Sequence, residues 1–470
     1  MRIKELFIED YKILKDFNIK FDHQLTVIIG KNGSGKSTLL EFVAKRFFDL
    51  YEHFVLEDGK KPSFDFKLRY DVEYQKETYE VYITSNKKTK EYYEVNIKKN
   101  GARSKKYSKA QINEDFVGGY KDILPQNVVM YYSGISTALQ DRFLAFQGDF
   151  ILGSLDGEIK IEQPFFYFLP NNFTTILLGL LSYQYGDIPE TLSKQFGVSA
   201  FKEIKIKIRK PYWARPKSIA DDFWGAKGDL NVFLQKLSES CHDKATKDGL
   251  IEFTITSKDE LQKVWEFYGE EKSLFEYLTT IQANDLIESI DINLIKNDKE
   301  ISHDRLSEGE KQILVVYGLI ELLITGNTLF LLDEPDTYLH PAWQREFIEK
   351  IKKIDAGSQT NFIVTTHSPQ TLSNLRERDV LSMEGGRVFS IDANGLYGRD
   401  SNAILEEVMG ACDMSPEAHE WIEKINKAIT LKDLDQAQDS IEQLKEYLSV
   451  KDPFFAVAEM RVERLKRKLQ

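Results

Sequence analysis

Gly30-Lys31-Asn32-Gly33-Ser34-Gly35-Lys36-Ser37 fits the pattern G-x-x-x-x-G-K-[ST] of a phosphate-cradling loop. Its flanks agree. Leu25-Thr26-Val27-Ile28-Ile29 reads as a buried strand that enters the first glycine, and Ser37 to Ala44 as the start of a helix. A loop of this kind turns backbone N–H groups inward, and the helix that follows adds its positive N-terminal dipole. Side chains would block that approach, which suits glycine at 30, 33 and 35. Lys36 is placed to reach the β- and γ-phosphates, and the Ser37 hydroxyl to ligate Mg²⁺. Gly30, Asn32, Gly33, Ser34, Gly35, Lys36, Ser37 and Thr38 form the candidate ATP-binding set, with Mg²⁺ as the accompanying ion. A chance glycine-rich turn is the competing reading. It does not account for a strand before the loop and a helix after it.

Far along the chain, Leu329-Phe330-Leu331-Leu332-Asp333-Glu334 is a hydrophobic strand ending in two acids. Asp333 is placed to hold the metal, and Glu334 to orient or deprotonate an attacking water. Paired acids alone are weak evidence; after an apolar strand, in a chain that already has a phosphate loop, they gain weight. Thr365-Thr366-His367-Ser368-Pro369 also follows a short apolar strand, Asn361 to Thr365. A lone histidine is usually structural, but this one sits at a strand end, where it can read a γ-phosphate. His340 in Asp336-Thr337-Tyr338-Leu339-His340-Pro341 reads as a capping or packing residue.

The chain has 470 residues, enough for two or three domains. Its formal charge of −12 argues against a protein coated in nucleic acid. Two cysteines, Cys241 and Cys412, lie far apart and without CxxC spacing, so neither a disulfide framework nor a zinc site is indicated. The start Met1-Arg2-Ile3-Lys4-Glu5-Leu6 reads as a charged strand and not as a signal peptide. The most apolar run, Phe173 to Leu181, is too short to span a bilayer. A cytoplasmic protein without a membrane partner is expected.

Strands are expected at Ile3–Ile8 and Phe17–Phe21, and then a meander of three runs, Phe64 to Tyr74, Tyr79 to Ile83 and Tyr92 to Ile97. Val128 to Tyr132 is a further buried strand. Residues 313–324 are apolar nearly all round, as in a buried helix. Residues 138–300 read as a mixed, mainly helical insertion without sustained heptads. Beyond Tyr397 the chain reads as helices. Ile422, Ile425, Ala428 and Ile429 make one stripe, Ile441, Leu444 and Leu448 a second. Val457, Met460, Val462 and Leu465 make an imperfect third on a last, basic helix.

Leu306-Ser307-Glu308-Gly309-Glu310 resembles the signature motif of ABC-type ATPases. The resemblance implies that Ser307 and Gly309 serve the nucleotide bound to a second copy. Ile8-Glu9-Asp10-Tyr11-Lys12 resembles the entry of SMC-like and DNA-repair members, with Lys12 where arginine is usual. Lys12 therefore joins the candidate nucleotide-binding residues. Tyr131-Tyr132-Ser133-Gly134, the Asp333 to Pro341 run, Thr366 to Pro369 and the tail from Tyr397-Gly398-Arg399-Asp400 into paired helices look like stand-alone ABC ATPases of bacterial antiphage defence. The group most similar is the ATPase subunit of Septu systems, also found beside some retrons.

The implied fold class is α/β: an ABC-type P-loop ATPase head with an antiparallel β meander, a helical insertion and a helical C-terminal tail. The implied organisation is an N-terminal lobe over 1–137, the insertion over 138–300, a C-terminal lobe over 301–398 and an assembly region over 399–470. The implied activity is ATP hydrolysis, with Glu334 and His367 catalytic and Ser37 and Asp333 on metal. Head-to-tail homo-oligomers and a separate HNH-type nuclease are the implied partners, with no nuclease site in this chain. A DNA-repair ATPase acting on DNA ends and a nucleotide-gated scaffold with little turnover are the alternatives.

Two basic stretches leave DNA or RNA contact open. Lys87 to Lys109 carries nine Lys or Arg against two Glu, and Phe201 to Lys217 interleaves Lys205, Lys207, Arg209, Lys210, Arg215 and Lys217 with Tyr212 and Trp213. The plainer reading of the second is a strand with Lys205, Lys207 and Arg209 on one solvent face.

Overall fold

Alternating burial along the first two strands sets the N-terminal layer. The computed structural model describes residues 1–89, 91–100, 102–133, 140, 143, 164–324, 326–354, 360–391, 396–410, 416–449 and 452–469. Gly134, Lys90 and Cys412 lie outside them. The described residues fall into two compact units, Met1–Gly398 and Arg399–Gln470.

In the first unit, β1 (Arg2–Tyr11) and β2 (Leu14–Lys20) form a hairpin, and β3 (Leu25–Ile29) leads into the glycine-rich loop. The meander follows as β4 (Phe66–Tyr74), β5 (Glu77–Ser85), β6 (Tyr93–Lys99) and β7 (Lys105–Tyr107). These strands make an antiparallel sheet in the order β2-β1-β4-β5-β6-β7. Its inner face packs on the helix Lys36–Phe54 through Leu40, Phe42, Val43 and Phe47 against Phe66, Leu68 and Tyr70. Each such buried side chain contributes roughly 1.5–3 kcal/mol. Arg46 is buried there too. Its guanidinium lies 4.9 Å from the Phe64 ring centroid and pairs with Asp49 at 2.5 Å.

The central sheet adds β8 (Asn127–Tyr132) and β9 (Phe165–Tyr167). Residues 138–300, expected to be mainly helical, contain helices and also most of a second antiparallel sheet. Its strands are β10 (Val198–Ile208), β11 (Asp243–Lys247), β12 (Leu250–Ile255), β13 (Ile287–Lys296) and β14 (Lys299–Ser302), in the order β11-β12-β10-β13-β14. Ile204, Ile206 and Ile208 fill its inner face. The central sheet is completed by β15 (Thr328–Asp333), β16 (Asn361–Thr365), β17 (Val380–Glu384) and β18 (Arg387–Ser390).

Its order is β18-β17-β3-β16-β15-β8-β9. All neighbours pair in parallel except β17 with β18. Parallel strands bury both faces, which explains why β3, β15 and β16 are apolar throughout. Their carboxyl ends lie side by side, the usual place for a ligand on such a sheet.

The second unit is helical: Ser401–Glu407, Pro416–Leu431, Leu434–Leu444 and Pro453–Leu469. Its core joins Ile425, Ala428, Ile441 and Leu444 to Phe455, Ala458 and Val462. The expected third stripe is corrected here. Val457 and Met460 are exposed, and only Val462 of that set is fully buried. Spacings of three, two and three drift off one helical face, whereas Phe455, Ala458 and Val462 stay on it.

Candidate nucleotide site

The glycine-rich loop is shaped by what lies beneath it. At Gly30 a Cβ would stand 2.1 Å from the Met383 carbonyl oxygen, and Gly35 has φ +108°, so neither position takes a side chain. The β17–β18 turn braces the loop, Gly386 N–H donating to Ser34 O at 3.0 Å. Lys36 heads the helix Lys36–Phe54 and folds back over the loop. Its Nζ donates to Gly30 O at 2.8 Å and stands 2.8 Å from His367 Nε2. Burial holds the lysine below its ordinary pKa, against the pull of Glu334 and Asp333. Ser34 Oγ is buried without a hydrogen-bond partner. An orphaned hydroxyl and a cation bonded to its own loop are groups that an added phosphate would satisfy. Asn32 and Gly33 are exposed and Thr38 is half-buried.

β15 and β16 bring two acids and two threonines together. Thr365 Oγ1 donates to Asp333 Oδ1 at 2.6 Å and accepts from Glu334 N–H at 3.1 Å. Burial raises the Asp333 carboxyl, opposed by hydrogen bonds from Thr365 and Ser37. Asp333 and Ser37 thus meet directly, a carboxylate and a hydroxyl, the oxygen donors a hard divalent cation takes. Glu334 turns out of the strand with φ +50°, a left-handed backbone costly for a branchless acid without support. Its Oε1 lies 3.2 Å from His367 Nε2. Burial, then Lys36, pushes the His367 imidazole down, against Glu334. A neutral ring then lets Nε2 accept from Lys36 Nζ. Lys36, Glu334 and His367 form one cluster, with Asp333 and Ser37 beside it.

Ser307 caps the helix Glu308–Leu323 in a capping box. Its hydroxyl accepts from Glu310 N–H at 3.3 Å, and Glu310 Oε2 accepts from Ser307 N–H at 3.0 Å. Lys296 on β13 pairs with Glu310. Ser307 is exposed, so the capped end faces outward. Gly309 admits a close neighbour: a Cβ there would stand 2.8 Å from Tyr338 O. Gln312, one turn on, accepts from Tyr338 N–H at 2.8 Å. Lys12, at the β1–β2 turn, pairs with Glu41 at 2.5 Å. His340 accepts from Ala342 N–H at 3.3 Å, as a local cap.

The strand order, the loop and the two consecutive acids at the end of β15 decide the class. The chain has an ABC-type ATPase fold. Two family models match it: "AAA ATPase domain" over residues 1–127, and "AAA domain, putative AbiEii toxin, Type IV TA system" over residues 200–373. This ATPase is 23% identical to "Retron Ec83 probable ATPase" of Escherichia coli, over 89% of this chain and 78% of that protein. It is 22% identical to "Retron Vc95 probable ATPase" of Vibrio cholerae serotype O1 biovar El Tor, over 81% and 73%. "Septu protein PtuA" of Bacillus thuringiensis matches at 26% identity over 39% of this chain and 51% of that one. The solved SMC head domain from Thermotoga maritima covers 84% of this chain at 14% identity and a TM-score of 0.34, all of that chain being matched. The fold assignment rests on the strand order and the site, not on that loose superposition. The resemblance to antiphage-defence ATPases inferred from the motifs agrees with the retron and Septu relatives.

Thr365, Thr366, Asp336 and Gln312 are the site residues that motif reading passes over. Their one sequence signal is polarity inside apolar surroundings: Thr365 and Thr366 end a strand that is otherwise hydrophobic. The basic stretches are drawn into ion pairs. Lys205 meets Glu203 at 3.2 Å, Lys207 meets Asp291 at 3.2 Å and Arg209 meets Glu288 at 2.8 Å. Lys87 meets Glu9 at 2.6 Å, Lys106 meets Glu94 at 3.1 Å and Lys109 meets Glu57 at 2.5 Å. Such pairs offset the local positive charge that phosphate binding needs. Among the described residues no helix is long and apolar enough to cross a membrane.

Proposed function

We propose that this chain is a Mg²⁺-ATP-binding and hydrolysing regulatory subunit of an antiphage defence complex. Nucleotide-dependent head-to-tail pairing of its copies would control an associated HNH-type nuclease. The observation that carries the ATPase part is the meeting of Lys36, Glu334 and His367 at adjacent strand ends. Lys36 would bind the terminal phosphates, Glu334 would take the proton of the attacking water, and neutral His367, accepting from Lys36 through Nε2 and lying beside Glu334, would read the γ-phosphate. Ser37 and Asp333 fit Mg²⁺, which when bound neutralises charge on the phosphate oxygens. The exposed, capped N-terminus at Ser307 supports pairing, since it offers N–H groups and a dipole to another copy's nucleotide. The nuclease part rests on the resemblance to Septu and retron ATPases. Among the described residues the longest helix has 19 residues, Lys36–Phe54, which lends no support to a coiled-coil DNA-repair machine.

Turnover of the wild type beside Glu334→Gln tests the reading. The variant should bind ATP as before and hydrolyse it roughly 10²-fold more slowly, the scale of a lost general base. Equal turnover would remove Glu334 from the chemistry. A wild type that binds ATP without turnover would instead favour the gated scaffold. Nuclease control is read separately, as ATP-dependent DNA cleavage by the proposed HNH-type partner when the two are combined.

A further inference from the structure

Asp336 is a buried carboxylate that the chemistry above does not use. It is 2% exposed and lies two residues past Glu334. Its Oδ2 accepts from Thr366 Oγ1 at 2.6 Å and from Thr371 Oγ1 at 2.5 Å. Its backbone carbonyl accepts from Gln344 Nε2 at 2.9 Å, and Gln344 Oε1 accepts from Ser368 Oγ at 2.8 Å. Thr366 Oγ1 in turn accepts from Ser368 N–H at 2.9 Å. The Thr366 and Thr371 bonds join the turn after Glu334 directly to the segment that carries His367, and Gln344 bridges the same two segments. Thr366 and Ser368 flank that histidine, while Asp336 is separated from Glu334 only by Pro335.

A buried carboxylate is expensive unless its oxygens are satisfied. Burial raises the Asp336 carboxyl, and the two threonine hydroxyls oppose the rise. An apolar filler at this place would pack as well and cost nothing in desolvation. What only an acceptor does is fix distances between two segments with no covalent link near the site. The pattern is repeated one residue earlier, where Thr365 clamps Asp333 and the Glu334 N–H. Consecutive threonines at the end of β16 therefore hold the two sides of the β15 turn, one binding the metal-side acid and the other the residue beyond Glu334.

We infer that Asp336 is a positioning residue: through Thr366 it holds His367 and Glu334 in the mutual geometry that hydrolysis needs. The inference rests on the ATPase reading above. It extends that reading to a link between the turn after Glu334 and the histidine strand end. Because Asp336 touches neither Lys36 nor the glycine-rich loop in the contacts described, its loss acts on turnover and leaves ATP binding alone. Misplacing a reacting group by about 1 Å costs on the order of 10²-fold in rate.

The test is steady-state ATP hydrolysis by full-length Thr366→Val, Thr366→Ser and Asp336→Ala, beside wild type and Glu334→Gln, with thermal melts of each. Valine keeps the volume and loses the hydroxyl; serine keeps the hydroxyl and loses the methyl. Thr366→Val and Asp336→Ala should each lower kcat roughly 10- to 100-fold with KM for ATP within about twofold of wild type. Thr366→Ser should keep kcat within about threefold, and the Thr366→Val/Asp336→Ala double variant should lose little more than the worse single, since both remove the shared Asp336–Thr366 bond. Either single variant that melts cooperatively decides the matter. Wild-type kcat in a folded Thr366→Val or Asp336→Ala overturns the inference while the ATPase reading stands. So does a Thr366→Ser as slow as Thr366→Val, which would assign the loss to packing. A wild type without turnover fails the underlying reading instead, and the inference falls with it.

Discussion

At the scale of single residues, His367 is the group whose charge the site controls most directly. Burial and the neighbouring Lys36 hold its pKa below the ordinary value of 6.5, with Glu334 pulling the other way. The folded protein therefore takes up this proton less readily than the unfolded chain. The histidine's contribution to stability is complete above the unfolded pKa and is lost as pH falls through the folded one. Protonation would turn Nε2 from acceptor to donor, set it against the Lys36 ammonium and draw it to Glu334. The Tm of the nucleotide-free protein should fall as pH is lowered below the ordinary histidine value of about 6.5, where the unfolded chain takes up the proton first. The fall should be shallower in His367→Gln. Parallel Tm curves for the two proteins would show that His367 is not held neutral by its surroundings. Because the side chain is a third exposed, the effect is a modest shift in slope and not an unfolding switch.

At the scale of elements, the signature helix Glu308–Leu323 carries the next test. Ser307 serves its own helix as cap and yet lies at the surface. A large cation at that position would lose the cap and also obstruct whatever approaches it. Ser307→Arg should bind ATP normally, melt slightly lower by the roughly 0.5–2 kcal/mol of a lost cap, and fail to pair. Sizing chromatography with ATP, in the Glu334→Gln background that slows hydrolysis, reads the pairing. Dimers undiminished by the arginine would remove the head-to-tail arrangement. Elements also show where a sequence is transparent. The loop at Gly30–Ser37 and the strand ending at Asp333 are legible because phosphate chemistry and burial each narrow the choice of residues. The buried helix Glu308–Leu323 is legible for the same reason: a run apolar nearly all round cannot face water. β13 was equally open to reading, since Ile290, Ile292 and Leu294 alternate with Ser289, Asp291 and Asn293, but without a motif the alternation is easily absorbed into a mixed region. Asp336 is the opposite case. Its partners Thr366 and Thr371 lie 30 and 35 residues away, and no periodicity reports a bond of that kind.

At the scale of the molecule, the chain joins a nucleotide-binding unit to a separate helical one, Arg399–Gln470. The helical unit closes its own core with Phe455, Ala458 and Val462 of the last helix, so that helix is part of its fold and not a loose arm. What the helix leaves outside is informative. Val457 is 44% and Met460 65% exposed, and Arg461 and Arg464 follow them on the surface. A flexible, polarizable methionine with cations beside it suits an acidic, partly apolar partner surface. If assembly uses this face, Val457→Glu/Met460→Glu should weaken either the self-association of the chain or its capture of the proposed HNH-type nuclease by roughly tenfold or more, the size of a lost contact centre. Both glutamates replace exposed side chains, so the tail core and ATP binding should be untouched. Sizing chromatography and co-purification with the nuclease, each against wild type, give the answer. Assembly equal to wild type in both would show that this face meets only solvent. Loss of the cooperative melt would show that Val457 and Met460 support the fold of the unit, which their exposure argues against.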